Sequence, residues 1–177
     1  MSTQNPHLLD VLTREGVLLS VSVRYWRGCK RLKAEDIGLE ASAVSERLIS
    51  LGHKRLLPKE ATAALGLAES RAHALVEANT FPFLNGLAHF LPNARLGEVT
   101  GKLKELETEF WQAKQQFTSR YSSLRDDAVR EWRQMARGLV RDPDQLIATI
   151  EQSFPPVERL DRSFGFDQQL FQIAVPE

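Results

Sequence analysis

The sequence predicts a mostly α fold, a helical bundle or long helical hairpin, with a minor two-stranded sheet joining the N- and C-terminal segments. Three observations point there. The run VLLSVSVRYW near the start alternates apolar and polar residues. Large apolar residues then recur at intervals of three and four over 95–139, with no proline among them. Near the end Phe171, Ile173 and Val175 alternate with Gln172 and Ala174.

The period of two in the first run places Val17, Leu19, Val21, Val23 and Tyr25 on one side, as a half-buried strand over 17–26 requires. A lone strand leaves its backbone groups unpaired, and the alternating segment over 169–175 is the natural partner. Between these ends the pattern is helical. Val44, Leu48 and Leu51 have helical spacing ahead of Gly52, which predicts a helix over 42–52. Pro58 suits a first helical position and opens a helix over 58–79, with Ala61, Ala64, Leu65, Ala68, Ala72, Leu75 and Val76 on one face. The segment TFPFLNGLAHFLPN mixes Pro, Gly and large apolar residues and reads as a packed connection. The helix over 95–139 is expected to run roughly 65 Å at 1.5 Å per residue, long for a domain of this size. The helix over 58–79 cannot cover it alone. It therefore projects as an arm, meets a second chain, or folds back near Ser122. Asp142-Pro143 marks an N-cap and first turn for a helix over 143–152. The 177 residues are read as a single domain.

Composition removes several classes of function. Lys+Arg and Asp+Glu are 23 each, so no global basic excess marks a nucleic-acid binder. The sole cysteine, Cys29, excludes an internal disulfide framework and a cysteine-based zinc site. No apolar run reaches the roughly 18 residues of a membrane span, and the expectation is a soluble, cytoplasmic chain with no membrane contact.

The catalytic inventory is thin. Neither GxxxxGK[ST] nor GxGxxG occurs, so no backbone nest is available for phosphates and no cofactor motif is present. Glu69, His73 and Glu77 stack at i, i+4 and i+8, but a solvated helix face explains that spacing better than a metal site. Cys29 lies beside Lys30 and Arg31, and a small packed residue is the preferred reading. The chain is read as a non-enzyme, without catalytic, cofactor or metal residues.

Two basic features are candidates for polyanion contact. Arg24, Arg27, Lys30, Arg31 and Lys33 cluster with Tyr25 and Trp26, a combination able to grip phosphates and stack on bases. Arg130, Arg133, Arg137 and Arg141 lie within an arc of about 80° at ~100° per residue, and arginine forks onto phosphate or carboxylate. Internal neutralisation by Glu35, Asp36 and Glu40, or by Asp127 and Glu131, gives the plainer account of both. A third surface, Leu103, Leu106, Phe110, Phe117, Tyr121 and Trp132, is the candidate face for a partner helix.

SVSVRYWRGCKRLKAEDIGL resembles the opening of the domain-of-unknown-function 3150 family, an alternating strand, basic residues and an acidic "EDLGL"-like turn. Trp26, Arg27, Gly28, Lys30, Leu32, Glu35, Asp36, Gly38 and Leu39 carry the likeness. FPFLNGLAHFLP, EFWQAKQQFTSRY and SFPPVERLDRSFGFDQQLFQIAVP are similar to later segments of that family, although Leu87-Ala88-His89-Phe90 departs from its Tyr-Ala-Val pattern. The resemblance implies the company of MoxR-type AAA+ ATPases and von Willebrand factor A-domain proteins, often on mobile elements, and brings no residue role with it. The functional expectation is a non-catalytic adaptor or assembly subunit, with other protein subunits, an AAA+ ATPase among them, or a second copy as partner. The alternative is a nucleic-acid-contacting small subunit of a bacterial defence or mobile-element nucleoprotein complex.

Overall fold

The computed structural model describes residues 6–37, 40 and 52–174. In chain order these form α1 (Pro6–Glu15), β1 (Gly16–Arg24), β2 (Cys29–Arg31), β3 (His53–Arg55), α2 (Ala63–Asn79), β4 (Phe81–Phe83), β5 (Ala88–Pro92), α3 (Asn93–Leu139), α4 (Pro143–Ser153), α5 (Val157–Asp161) and β6 (Gly165–Phe171). The fold is mostly helical with small antiparallel sheets. The chain divides into two compact units: one of 1–24, 65–113 and 165–177, the other of 25–64 and 114–164. The expected helix over 42–52 lies, apart from Gly52, outside the described residues.

The first unit is built on a four-stranded antiparallel sheet in the order β4-β5-β1-β6. The two chain ends do pair, with Leu18 opposite Phe171 and Arg24 opposite Gly165. The expected two-stranded sheet is corrected to four strands, because TFPFLNGLAHFLPN is a hairpin and not a simple connection. Pro82 is tolerated because β4 is an edge strand, where a missing N–H breaks no ladder bond. Leu84, Asn85 and Gly86 turn the hairpin with φ of 50°, 57° and 84°.

On β1, Leu19 and Val23 are buried, and Leu91 and Phe166 come to the same face opposite Val17 and Val23. Phe166 meets Phe110 of α3 at 5.7 Å between ring centroids. The C-terminal strand therefore begins earlier than expected and turns Phe166 inward, while Phe171 is exposed and Ile173 lies beyond it. At the start of that strand the Arg24 guanidinium lies over Gly165 and reaches Asp167 at 3.2 Å. Helix α2 contributes Leu65, Ala68, Ala72 and Val76 to the core at i, i+3, i+7 and i+11.

Helix α3 is continuous for 47 residues, with no break at Ser122. Its residues up to Ala113 belong to the first unit and those from Lys114 to the second. Among the described residues α3 does not fold back into the single long helical hairpin that was one expectation. Val99, Leu103 and Phe110 are fully buried in the first unit, and Phe117, Tyr121, Ala128 and Ala136 are buried in the second.

In the second unit β2 and β3 form a separate two-stranded ribbon. Trp26 packs edge-on to Tyr121 at 5.9 Å and tilted against Phe154 at 6.1 Å and Phe117 at 6.4 Å. Phe164 adds to the cluster at 6.1 Å from Phe117. Asp142 caps α4 by accepting from the Gln145 N–H, and Pro143 occupies the first turn. Trp132 donates to the Arg55 carbonyl at 3.2 Å, tying the last turns of α3 to the end of β3.

The tightest backbone approach in the sheet is at Gly16, where a Cβ would come within 2.5 Å of the Leu91 carbonyl oxygen and the Phe90 ring. Since a backbone oxygen cannot swing away, Gly16→Ala is expected to cost about 1–3 kcal/mol, read as a lower urea midpoint. An unchanged midpoint would mean that β1 and β5 are not this close.

Candidate functional site

The RYWRGCKRLKAEDI segment supplies two different kinds of side chain to the second unit. Asp36 and Lys54 form a buried ion pair at 2.7 Å, each side chain about 4% exposed. Asp36 sits in a short 3-10 turn after β2, Lys54 in the middle of β3, and the Lys33 N–H donates to the same carboxylate oxygen at 2.9 Å. Burial pushes the Asp36 carboxyl up. The hydrogen bonds from Lys54 and the Lys33 N–H, with the charges of both lysines, outweigh that and hold it below 3.8. The acidic residue of the "EDLGL"-like turn is thus a structural anchor. Lys54 gave no signal in the sequence, because a lysine between His53 and Arg55 reads as a solvated cation.

Trp26 is the second kind. Its ring forms the aromatic core of this unit and also one wall of a cleft of about 360 Å³. Lys30, Leu56, Phe154, Arg159 and Leu160 line the same cleft. Tyr121 closes the core behind it: burial pushes its hydroxyl up to about 12, the nearby Arg125 charge pulling the other way. That hydroxyl therefore stays protonated at neutral pH and donates to the Pro155 carbonyl at 2.7 Å. Arg159 was not singled out in the sequence, being an isolated cation after two prolines with no patterned neighbour.

The remaining basic residues are dispersed. Arg24 belongs to the first unit, paired with Asp167. Arg27 lies 4.3 Å from the Tyr25 ring centre and donates to its hydroxyl at 2.6 Å. Arg31 and Lys33 are exposed. On α3, Arg130 meets Asp127 at 2.7 Å and Arg133 meets Glu151 at 3.3 Å, while Arg137 and Arg141 are exposed.

The candidate partner-helix face is a correction. Leu103, Phe110, Phe117 and Tyr121 are buried by the chain itself, and Leu106 and Trp132 are half-buried. An apolar stripe of this width is the signature of a core helix as much as of a docking helix, and neighbours within the chain cover it. Exposed apolar side chains include Met135 and Leu139 near the end of α3 and three on the β4–β5 hairpin, where Phe81, Leu84 and Leu87 are 64%, 61% and 80% exposed. Glu69, His73 and Glu77 are on α2, with His73 and Glu77 exposed. Among the described residues no group of three or more His, Cys, Asp or Glu is placed to hold a metal ion. Among the described residues, too, no helix is long and apolar enough to cross a membrane.

A mostly helical chain with a small four-stranded sheet, an ion-paired ribbon and an aromatic-walled cleft is the class that fold and site define. The chain belongs to the family described as Protein of unknown function (DUF3150), whose model matches residues 13–177. No curated protein and no solved structure matches it.

Removing one member of the Asp36–Lys54 pair leaves an uncompensated buried charge, so Asp36→Asn is expected to destabilise by about 3–5 kcal/mol near neutral pH. The carboxyl is lowered in the folded state, so its contribution is complete above the unfolded value of roughly 3.9 and fades as pH falls through the folded value. Urea unfolding across a pH series checks this: the gap between wild type and Asp36→Asn should be flat at neutral pH and close in acid. A gap that widens in acid would contradict the assignment.

Proposed function

We propose that the chain is a non-catalytic assembly subunit of a multiprotein complex and docks through the hairpin that joins β4 to β5. One observation carries the reading: Phe81 on β4, and Leu84 and Leu87 in the turn that follows, are all more than half exposed. Scattered exposed leucines need no explanation, but three large apolar side chains within seven positions make a patch. Leu84 also holds φ of 50°, a left-handed conformation costing a γ-branched residue about 1–2 kcal/mol. Backbone strain that presents an apolar side chain to solvent is a feature associated with binding loops. Burying each of these side chains against a partner contributes about 1.5–3 kcal/mol, enough for the patch to act as an anchor.

The absence of phosphate-cradling and nucleophile motifs in the sequence supports a non-catalytic role. The family's company suggests a MoxR-type AAA+ ATPase as the partner. Nucleic-acid contact through the basic residues has less support, since Arg24, Arg130 and Arg133 each meet a carboxylate and Arg27 lies over Tyr25.

The experiment is co-purification from the native host after nuclease treatment, comparing wild type with Leu84→Asp/Leu87→Asp, whose circular dichroism should match. A specific protein, the AAA+ ATPase being the leading candidate, should be retained by wild type and reduced at least roughly tenfold by the double variant. Equal recovery with both chains, or loss of everything on nuclease treatment, would overturn the reading.

A further inference from the structure

The cleft beside Trp26 has chemistry that the docking role does not use. Its volume of about 360 Å³ is within the range of small-molecule sites. Two separate stretches that carry the family likeness converge on it: Trp26 and Lys30 from one, Phe154, Pro155 and Arg159 from the other. Trp26, Leu56, Phe154 and Leu160 give it apolar walls, and no acidic residue lines it.

Its two cations are uncommitted. Lys30 and Arg159 are exposed, and neither side chain makes a hydrogen bond or ion pair among the described residues. Lys30 stands directly opposite Lys54 on the β2–β3 ribbon, and the carboxylate of Asp36 is already held by Lys54. The ribbon therefore leaves the Lys30 charge uncompensated at the cleft. The Trp26 indole N–H also has no acceptor among the described residues and is not completely buried. The hydroxyls of Ser153 and Ser163, by contrast, donate to the Thr149 and Leu160 carbonyls. The donors left for a ligand are thus an ammonium, a guanidinium and an indole N–H, beside aromatic surface.

We infer that this cleft binds a small organic oxyanion, a phosphate or carboxylate carried on a flat apolar ring. The ring lies along Trp26 and Phe154, and the oxyanion takes charge-assisted hydrogen bonds from Lys30 and Arg159, which are stronger in a half-enclosed cleft than in open water. Neither half alone suffices. A free anion loses the ring contact, and a neutral ring leaves the cations to water.

Phenyl phosphate tests this on the full chain, with phenol and inorganic phosphate as its two halves, followed by the three tryptophan indole N–H resonances. Phenyl phosphate should move the Trp26 resonance saturably and leave Trp111 and Trp132 in place, with each half binding at least roughly tenfold more weakly. Lys30→Gln and Arg159→Gln, both at exposed positions, should each weaken binding by roughly tenfold, and Arg137→Gln, outside the cleft, should not. A shift shared by all three tryptophans, binding indifferent to Lys30 and Arg159, or no saturation by roughly 10 mM would overturn the inference. Leu84→Asp/Leu87→Asp should bind phenyl phosphate like wild type, so this site and the docking hairpin fail separately.

Discussion

A helix of 47 residues with an apolar stripe along its length imposes one requirement on this chain: the stripe must be covered. Helix α3 meets it in two stretches, leaving Met135 and Leu139 of its last turns exposed. In the first unit Val99, Leu103 and Phe110 are fully buried, and Phe166 of β6 packs against Phe110. In the second, Phe117 and Tyr121 are enclosed by Trp26, Phe154 and Phe164. Each unit thus builds its core on its own portion of the same helix, and the segments before and after α3 are drawn back to it. The pairing of the two chain ends in β1 and β6 follows from this, since β6 carries Phe166 and β1 gives it a partner strand.

Motifs that look chemical in the sequence are largely consumed by that packing. Trp26 is core on one side and cleft wall on the other. Asp36 is ion-paired to the buried Lys54, and of the basic cluster preceding it only Lys33 is in contact with that carboxylate. Two of the surfaces left exposed differ in kind: an apolar hairpin in the first unit and a cationic, aromatic cleft in the second. The docking role and the anion site proposed above draw on these two surfaces separately.

The legible parts of the fold were those fixed by local periodicity. Val17 to Val23 announced β1, and the proline-free spacing over 95–139 announced α3. Periodicity says which face of a helix is apolar but not what lies against it. Phe110 is met by Phe166, far along the chain, so burial of the stripe could not be read from the helix alone. The hairpin is hidden in the sequence because Pro82 and Gly86 read as breakers, although Asn85-Gly86 between apolar runs is the usual hairpin signal. Of the cleft, Trp26 and Lys30 stood out in the basic cluster. Arg159 did not, because it is brought there by the turn after Phe154-Pro155-Pro156 and has no local partner that would mark it.

Residue-resolved hydrogen–deuterium exchange along α3 in the isolated chain tests the coverage of the stripe most directly. If neighbours within the chain bury it, amides from Val99 to Ala128 should exchange only through global unfolding, as slowly as the slowest in β1. Rapid exchange over Phe110 to Tyr121 in the isolated chain, slowed only when another protein is added, would show that the stripe is a docking face after all.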